Sequence, residues 1–191
     1  TNLYILSGST EVTVNSPRTI TANVTDQYGN AKSNVLVNFS ITSDSIQPYG
    51  SLSSSGGYTA ASGLVSTVLT TSTKVGTNKV KVNSSGLIPE EVIVYINGTP
   101  ATPTNLNILQ GEDVEITVYN EQTLKAEVTD SYSNPISGAI LNFSILSSPG
   151  NKANFTDAPS MSAGNQTCGG ITDSLGTVTV TIKISQFIGD N

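Results

Sequence analysis

The sequence predicts an all-β chain folded as two tandem β-sandwiches. Three observations carry that expectation: apolar and polar residues alternate along most of the chain, turn-forming clusters interrupt the alternation, and the pattern is written twice. Alternation with a period of two puts one face of an extended strand in a core and the other in water. No stretch keeps the 3.6-residue apolar spacing of an amphipathic helix.

Taken from the N-terminus, Leu3, Tyr4, Ile5 and Leu6 are apolar at consecutive positions, the pattern of a strand buried on both faces. Val12 and Val14 follow at strand spacing. Ile20, Ala22 and Val24 then alternate with Thr21, Asn23 and Thr25, and Val35, Val37, Phe39 and Ile41 oppose Asn38 and Ser40. Between these runs lies Asp26-Gln27-Tyr28-Gly29-Asn30, a turn cluster in which glycine and asparagine tolerate positive φ. Val80-Val82 and Val92-Val94-Ile96 continue the alternation. Leu141-Phe143-Ile145 and Val178-Val180-Ile182-Ile184 repeat it in the second half, after the turn Asp130-Ser131-Tyr132-Ser133-Asn134-Pro135.

The repeat is direct. Thr1 to Gly8 matches Thr104 to Gly111, Thr19 to Asp26 matches Thr123 to Asp130, and Val35 to Ser43 matches Ala139 to Ser147. Gly57, Gly63, Gly76 and Asn78 match Gly170, Gly176, Gly189 and Asn191. The offset grows from 104 at Phe39 and Phe143 to 113 at Gly57 and Gly170, so nine extra residues enter the second copy between Ser147 and Gly169. Residues 1–98 and 104–191 are therefore expected as two domains joined by 99–103, within a stretch holding Pro100 and Pro103. Roughly seven short strands per ~100 residues is the density of an immunoglobulin-like sandwich.

The first copy runs on from Lys79 to Gly98, enough for two strands, whereas the second stops at the position matching Asn78. The second immunoglobulin-like β-sandwich is thus expected to lack its C-terminal strands. Either the chain is a piece of a longer array, or another subunit supplies a strand. The natural donor is the N-terminal segment 1–14, through Leu3, Ile5, Leu6, Val12 and Val14. Head-to-tail donation does not close, so it gives a filament.

The segment Val24-Thr25-Asp26-Gln27-Tyr28-Gly29-Asn30, followed by Val35-Leu36-Val37-Asn38-Phe39, resembles the bacterial immunoglobulin-like repeats of invasin- and intimin-type surface adhesins. The likeness covers nearly all of the first copy and most of the second, where Ser133 replaces the turn glycine. It implies a stalk or spacer module on a cell surface, with no catalytic residues to carry over. With its charge-poor composition, its sequons and its incomplete second copy, the chain also resembles the subunits of archaeal thread filaments. That resemblance implies a glycosylated surface pilus built by donor-strand complementation, a homopolymer of identical subunits.

Composition narrows the function. Charged residues are 12% of the chain, against roughly 25% in an ordinary soluble domain. The net charge of −6 lies wholly in residues 103–191, with nine acids and three bases, while residues 1–102 carry five of each. No cluster of Lys or Arg offers a face for nucleic acid or an anionic membrane. No apolar run approaches the ~20 residues of a membrane span, and a start at Thr1 reads as a mature protein after signal removal or as an excised fragment. Histidine is absent, which removes the common triads, the usual zinc ligands and the commonest base near neutral pH. No enzyme activity, cofactor or metal is expected. Extracellular placement at the cell surface is.

Smaller motifs complete the reading. Asn23, Asn38, Asn83, Asn97, Asn142, Asn154 and Asn165 stand in N-x-S/T sequons, and alternation puts Asn23, Asn38, Asn83 and Asn142 on outward faces, where a sugar has room. The Asp26 cluster reads as a turn rather than a calcium loop, and Glu112-Asp113-Val114-Glu115 as a solvated edge. Cys168, alone, reads as a free thiol. An isopeptide crosslink needs a buried lysine, and Lys79, Lys81, Lys125 and Lys183 alternate outward. A cell-surface or host glycan or protein ligand would be met by loops, and the insertion with Phe155 and Met161 is the candidate loop.

Overall fold

A computed structural model describes residues 1–6, 11–113, 119–146, 153–157, 160–161 and 166–184. The chain divides into two compact units, Thr1–Ala101 and Thr102–Asn191. Every regular element among the described residues is a strand.

The first unit contains β1 (Asn2–Ile5), β2 (Glu11–Thr13), β3 (Pro17–Thr25), β4 (Leu36–Ile41), β5 (Ser51–Leu52), β6 (Gly56–Tyr58), β7 (Leu64–Thr70), β8 (Gly76–Asn83) and β9 (Glu91–Thr99). They form two sheets, ordered β1-β3-β7-β5 and β2-β9-β8-β4-β6. Alternation decides what lies between them: Ile20, Ala22 and Val24 of β3 and Val37 and Phe39 of β4 point inward with Val80, Val82 and Ile96. Each of the Ile, Val and Phe side chains contributes about 1.5–3 kcal/mol on burial. Strand β9 continues through Thr99, which pairs with Thr13 of β2 in parallel register. The stretch expected to link the units from residue 99 therefore begins as sheet, because β2 needs that edge to bond to.

The second unit contains β10 (Asn105–Gln110), β11 (Glu121–Thr129), β12 (Ile140–Ser144), β13 (Ala153–Asp157), β14 (Ser160–Met161), β15 (Thr167–Ile171) and β16 (Thr177–Ile184). Its sheets run β10-β11-β16-β13 and β12-β15-β14. Register repeats between the units: Leu3 faces Val24 and Leu106 faces Val128. Asn2 Nδ2 donates to the Asp26 carbonyl, and Asn105 Nδ2 to that of Asp130. The nine-residue insertion holds β14, which pairs with β15 on the side where β6 of the first unit ends its sheet. Phe155, expected in a binding loop, is instead a core residue beside Cys168 and Val180. Its alternation with Asn154 and Thr156 on β13 turns it inward.

Gly63 and Gly176 close matching turns at φ of 76° and 73°. Val24 N donates to Gly63 O and Val128 N to Gly176 O, both at 2.8 Å. A Cβ at either glycine would stand 2.6 or 2.7 Å from the Val24 or Val128 carbonyl oxygen, so no side chain fits.

The units differ where the first has β8 and β9. Leu3 is 2% exposed, in a cluster with Val82, Leu87 and Ile96, while its counterpart Leu106 is 60% exposed. Among the described residues β12 pairs only with β15, whereas β4 pairs with β6 on one side and β8 on the other. Phe143 accordingly packs against the second core half-buried, where Phe39 is enclosed.

Candidate functional site

The outward face of β2-β9-β8-β4-β6 gathers the polar side chains that alternation excludes from the core. Cross-strand register sets Thr77 against Asn97, Lys79 against Tyr95, Lys81 against Ile93 and Asn83 against Glu91. Thr77 Oγ1 donates to Asn97 Oδ1 at 2.8 Å. Lys79 Nζ lies 2.6 Å from Asp44 Oδ2 and 6.0 Å from the centre of the Tyr95 ring. Thr42 Oγ1 donates to Asp44 Oδ1 at 2.6 Å. The Lys79 ammonium and then the Thr42 hydroxyl hold the Asp44 carboxyl below the usual carboxylate range, and Asp44 in turn raises Lys79. Asp44, Ser45, Ile46, Gln47, Thr77 and Lys79 line an open groove of about 520 Å³ beside this pair.

The sequons fall unequally. Asn38, Asn97 and Asn142 are exposed, and Asn83 and Asn154 half-buried. Asn23 has its Oδ1 buried without a hydrogen-bond partner among the described residues, although alternation turned its side chain outward. The turn at Gly63 crowds it, since that glycine's Cβ position is 3.1 Å from Asn23 Oδ1. Asn154 Oδ1 accepts from Gln166 Nε2 at 2.9 Å. Asn38 and Asn83 are direct cross-strand partners on one face. Asn165 lies outside the described residues.

The N-terminal residues expected to be donated are built into their own unit. Strand β1 pairs with β3 and β2 with β9. Leu3 and Val14 are buried, and Ile5 and Val12 pack against the same core. The expectation that residues 3–6 are buried on both faces is corrected: Tyr4 is 49% and Leu6 55% exposed. A sheet-edge strand over a two-layer core has one wet face, whatever its side chains prefer.

The aspartate turns bind themselves. Asp26 Oδ1 accepts from Tyr28 N and Asn30 N, and Oδ2 from Asn30 Nδ2. Asp130 makes the same three bonds with Tyr132 N, Asn134 N and Asn134 Nδ2. Asp173, which reading the sequence passed over, accepts from Leu175 N, Thr177 N and Thr177 Oγ1. Bonds to Asn30 and to Thr177 lower the Asp26 and Asp173 carboxyls. These bonds close tight turns on their own aspartates. Glu112 and Asp113 are exposed, and the rest of that acidic cluster lies outside the described residues. Lys79, Lys81 and Lys183 form surface ion pairs with Asp44, Glu91 and Glu121. Cys168 is buried in the second core, and burial pushes its thiol up.

No family model and no curated protein matches the chain. Solved structures do. FdeC, a broadly conserved Escherichia coli adhesin, aligns over 96% of this chain and 55% of its own at 17% identity and a TM-score of 0.55. InvD of Yersinia pseudotuberculosis aligns over 97% of this chain and 50% of its own at 20% identity and a TM-score of 0.53. The chain thus spans about half the length of these two structures, and it shares their fold of tandem immunoglobulin-like sandwiches.

Proposed function

We propose that the chain is a non-catalytic spacer in an extracellular, cell-surface protein of the adhesin type. What supports this is one sandwich written twice in tandem, with strand registers and turn bonds repeated between units. The fold likeness to FdeC and InvD points the same way. A spacer needs length, compactness and an inert surface. Few groups here titrate, and the described turns consume their own carboxylates. A ligand on a host or neighbouring cell would be met by loops or by segments next to this one. Protease shaving of intact source cells tests the placement: release of peptides from this chain before lysis is expected, and detection only after lysis contradicts it.

A second reading, the subunit of a filament, draws on one observation. Among the described residues the β12 edge facing away from β15 has no strand on it and Leu106 is exposed, which is where a donated strand would add. Strands β1 and β2 already complete the first unit, so donation by the N-terminal segment requires their exchange between copies. Electron microscopy of the purified chain at rising concentration separates the readings: filaments support exchange, and a persistent monomer supports the spacer.

A further inference from the structure

We infer that Asn97 carries an N-linked glycan whose first sugar lies on the Tyr95 ring beside the Asp44–Lys79 groove. The inference rests on the extracellular placement proposed above. Of the seven sequons, only Asn97 has an aromatic residue two positions earlier. On a strand that spacing puts both side chains on one face, about 7 Å apart. Tyr95 is 55% exposed, with the Lys79 ammonium 6.0 Å from the ring centre, so a sugar that stacks takes the part of the ring that Lys79 leaves open. Stacking the apolar face of a pyranose on the ring removes both from water.

The neighbours prepare the site. The Thr77 hydroxyl fixes Asn97 Oδ1 at 2.8 Å, and among the described residues no hydrogen bond engages Asn97 Nδ2, the atom that is glycosylated. Thr77 and Lys79 also line the groove, so a sugar leaving Asn97 over Tyr95 meets a carboxylate, an ammonium and the Gln47 amide. These groups can bond sugar hydroxyls. Among the described residues the other sequons lack this combination: Asn38 and Asn83 share one cross-strand position, Asn23 is partly enclosed, Asn154 is bonded to Gln166, and Asn142 has Ile140 at the earlier position.

The transfer uses a lipid-phosphate-linked oligosaccharide and the source cell's transferase. The bond from sugar C1 to the phosphate oxygen breaks, C1 bonds to Asn97 Nδ2, the amide proton passes to a base, and the lipid phosphate leaves. Nothing is oxidised or reduced.

The chain, secreted through an N-glycosylating pathway, is mapped by glycopeptide mass spectrometry and then melted before and after enzymatic glycan removal. Asn97 is expected to be occupied, and glycan removal to lower the melting temperature. A single stacking contact in a domain of this size corresponds to about 2–8 °C. In Asn97→Gln and in Tyr95→Ser that part of the drop vanishes, while Tyr58→Ser, a change at another exposed tyrosine, retains it. A bare Asn97, or an equal drop in all variants, overturns the inference. Shaving of source cells reads localisation separately, so failure of the spacer reading is distinguishable from failure here.

Discussion

Thr59 and Thr172 hold the same post in the two units. Thr59 Oγ1 accepts from Val35 N at 3.0 Å and donates to Lys32 O at 2.7 Å. Thr172 Oγ1 accepts from Ala139 N at 2.9 Å and donates to Ile136 O at 2.6 Å. Both are buried, and each ties the chain just before the strand β4 or β12 to the end of β6 or β15. A buried amide and carbonyl are satisfied by one hydroxyl.

Thr172→Val keeps the shape and removes that hydroxyl. It is expected to cost about 1–3 kcal/mol, the penalty for leaving buried polar groups unpaired, while Thr172→Ser retains most of the stability. Urea unfolding of both variants checks this. Equal midpoints would show that water or a shifted backbone replaces the bonds.

The aspartate turns make stability depend on pH in one direction. The folded-state carboxyls of Asp26 and Asp173 lie below their usual 3.8. Their contribution is therefore full above 3.8 and lost as pH falls through the lowered values. Melting temperature should be flat above about pH 5 and fall in acid, and the fall should shrink in Asp26→Asn with Asp173→Asn. The first unit has the backbone of the Asp173 turn without its carboxylate: Ala60 N donates to Leu64 O, and Gly63 N to Ala60 O. Ala60→Asp should add bonds from Ser62 N and Leu64 N and raise the melting temperature at neutral pH.

Gly176→Ala tests the turn that both units share. A left-handed backbone costs an L-residue roughly 1–2 kcal/mol, and the added Cβ meets the Val128 carbonyl at 2.7 Å. The expected loss exceeds the conformational cost alone. Calorimetry of Gly176→Ala and Gly63→Ala should show comparable losses. A neutral effect would mean that the Val128 carbonyl can move aside.

Much of this was legible in the sequence, because alternation and turn chemistry act locally. Ile20-Ala22-Val24, Phe39 and Val80-Val82 point where their period places them, and the duplicated turns fold alike. Ser133 takes the left-handed conformation of the glycine it replaces, with φ of 58° against 86° at Gly29. What local pattern did not give depends on distant partners. Tyr4 and Leu6 are wet because β1 is an edge. Phe155 is core because β13 pairs with β16. The Asp44–Lys79 pair joins residues far apart in sequence. Thr59 and Thr172 stood in a shared Gly-Gly-x-Thr pattern, but a threonine in a strand-rich chain carries no mark of burial. Asn23 was turned outward by its period, and only the fold brings the Gly63 turn against it.

The measurement that bears most directly on two copies of one sandwich, the second with β12 paired on one side only among the described residues, is amide hydrogen exchange on the isolated chain. Ile145 N donates to Gln166 O, so alternation sends the amides of Asn142 and Ser144 toward the edge away from β15. The account predicts slow exchange at Asn38 and Ser40, where β8 covers the matching edge, and at Ala22 and Ala126 in both cores, with fast exchange at Asn142 and Ser144. Equal protection of Asn38, Ser40, Asn142 and Ser144 would contradict it.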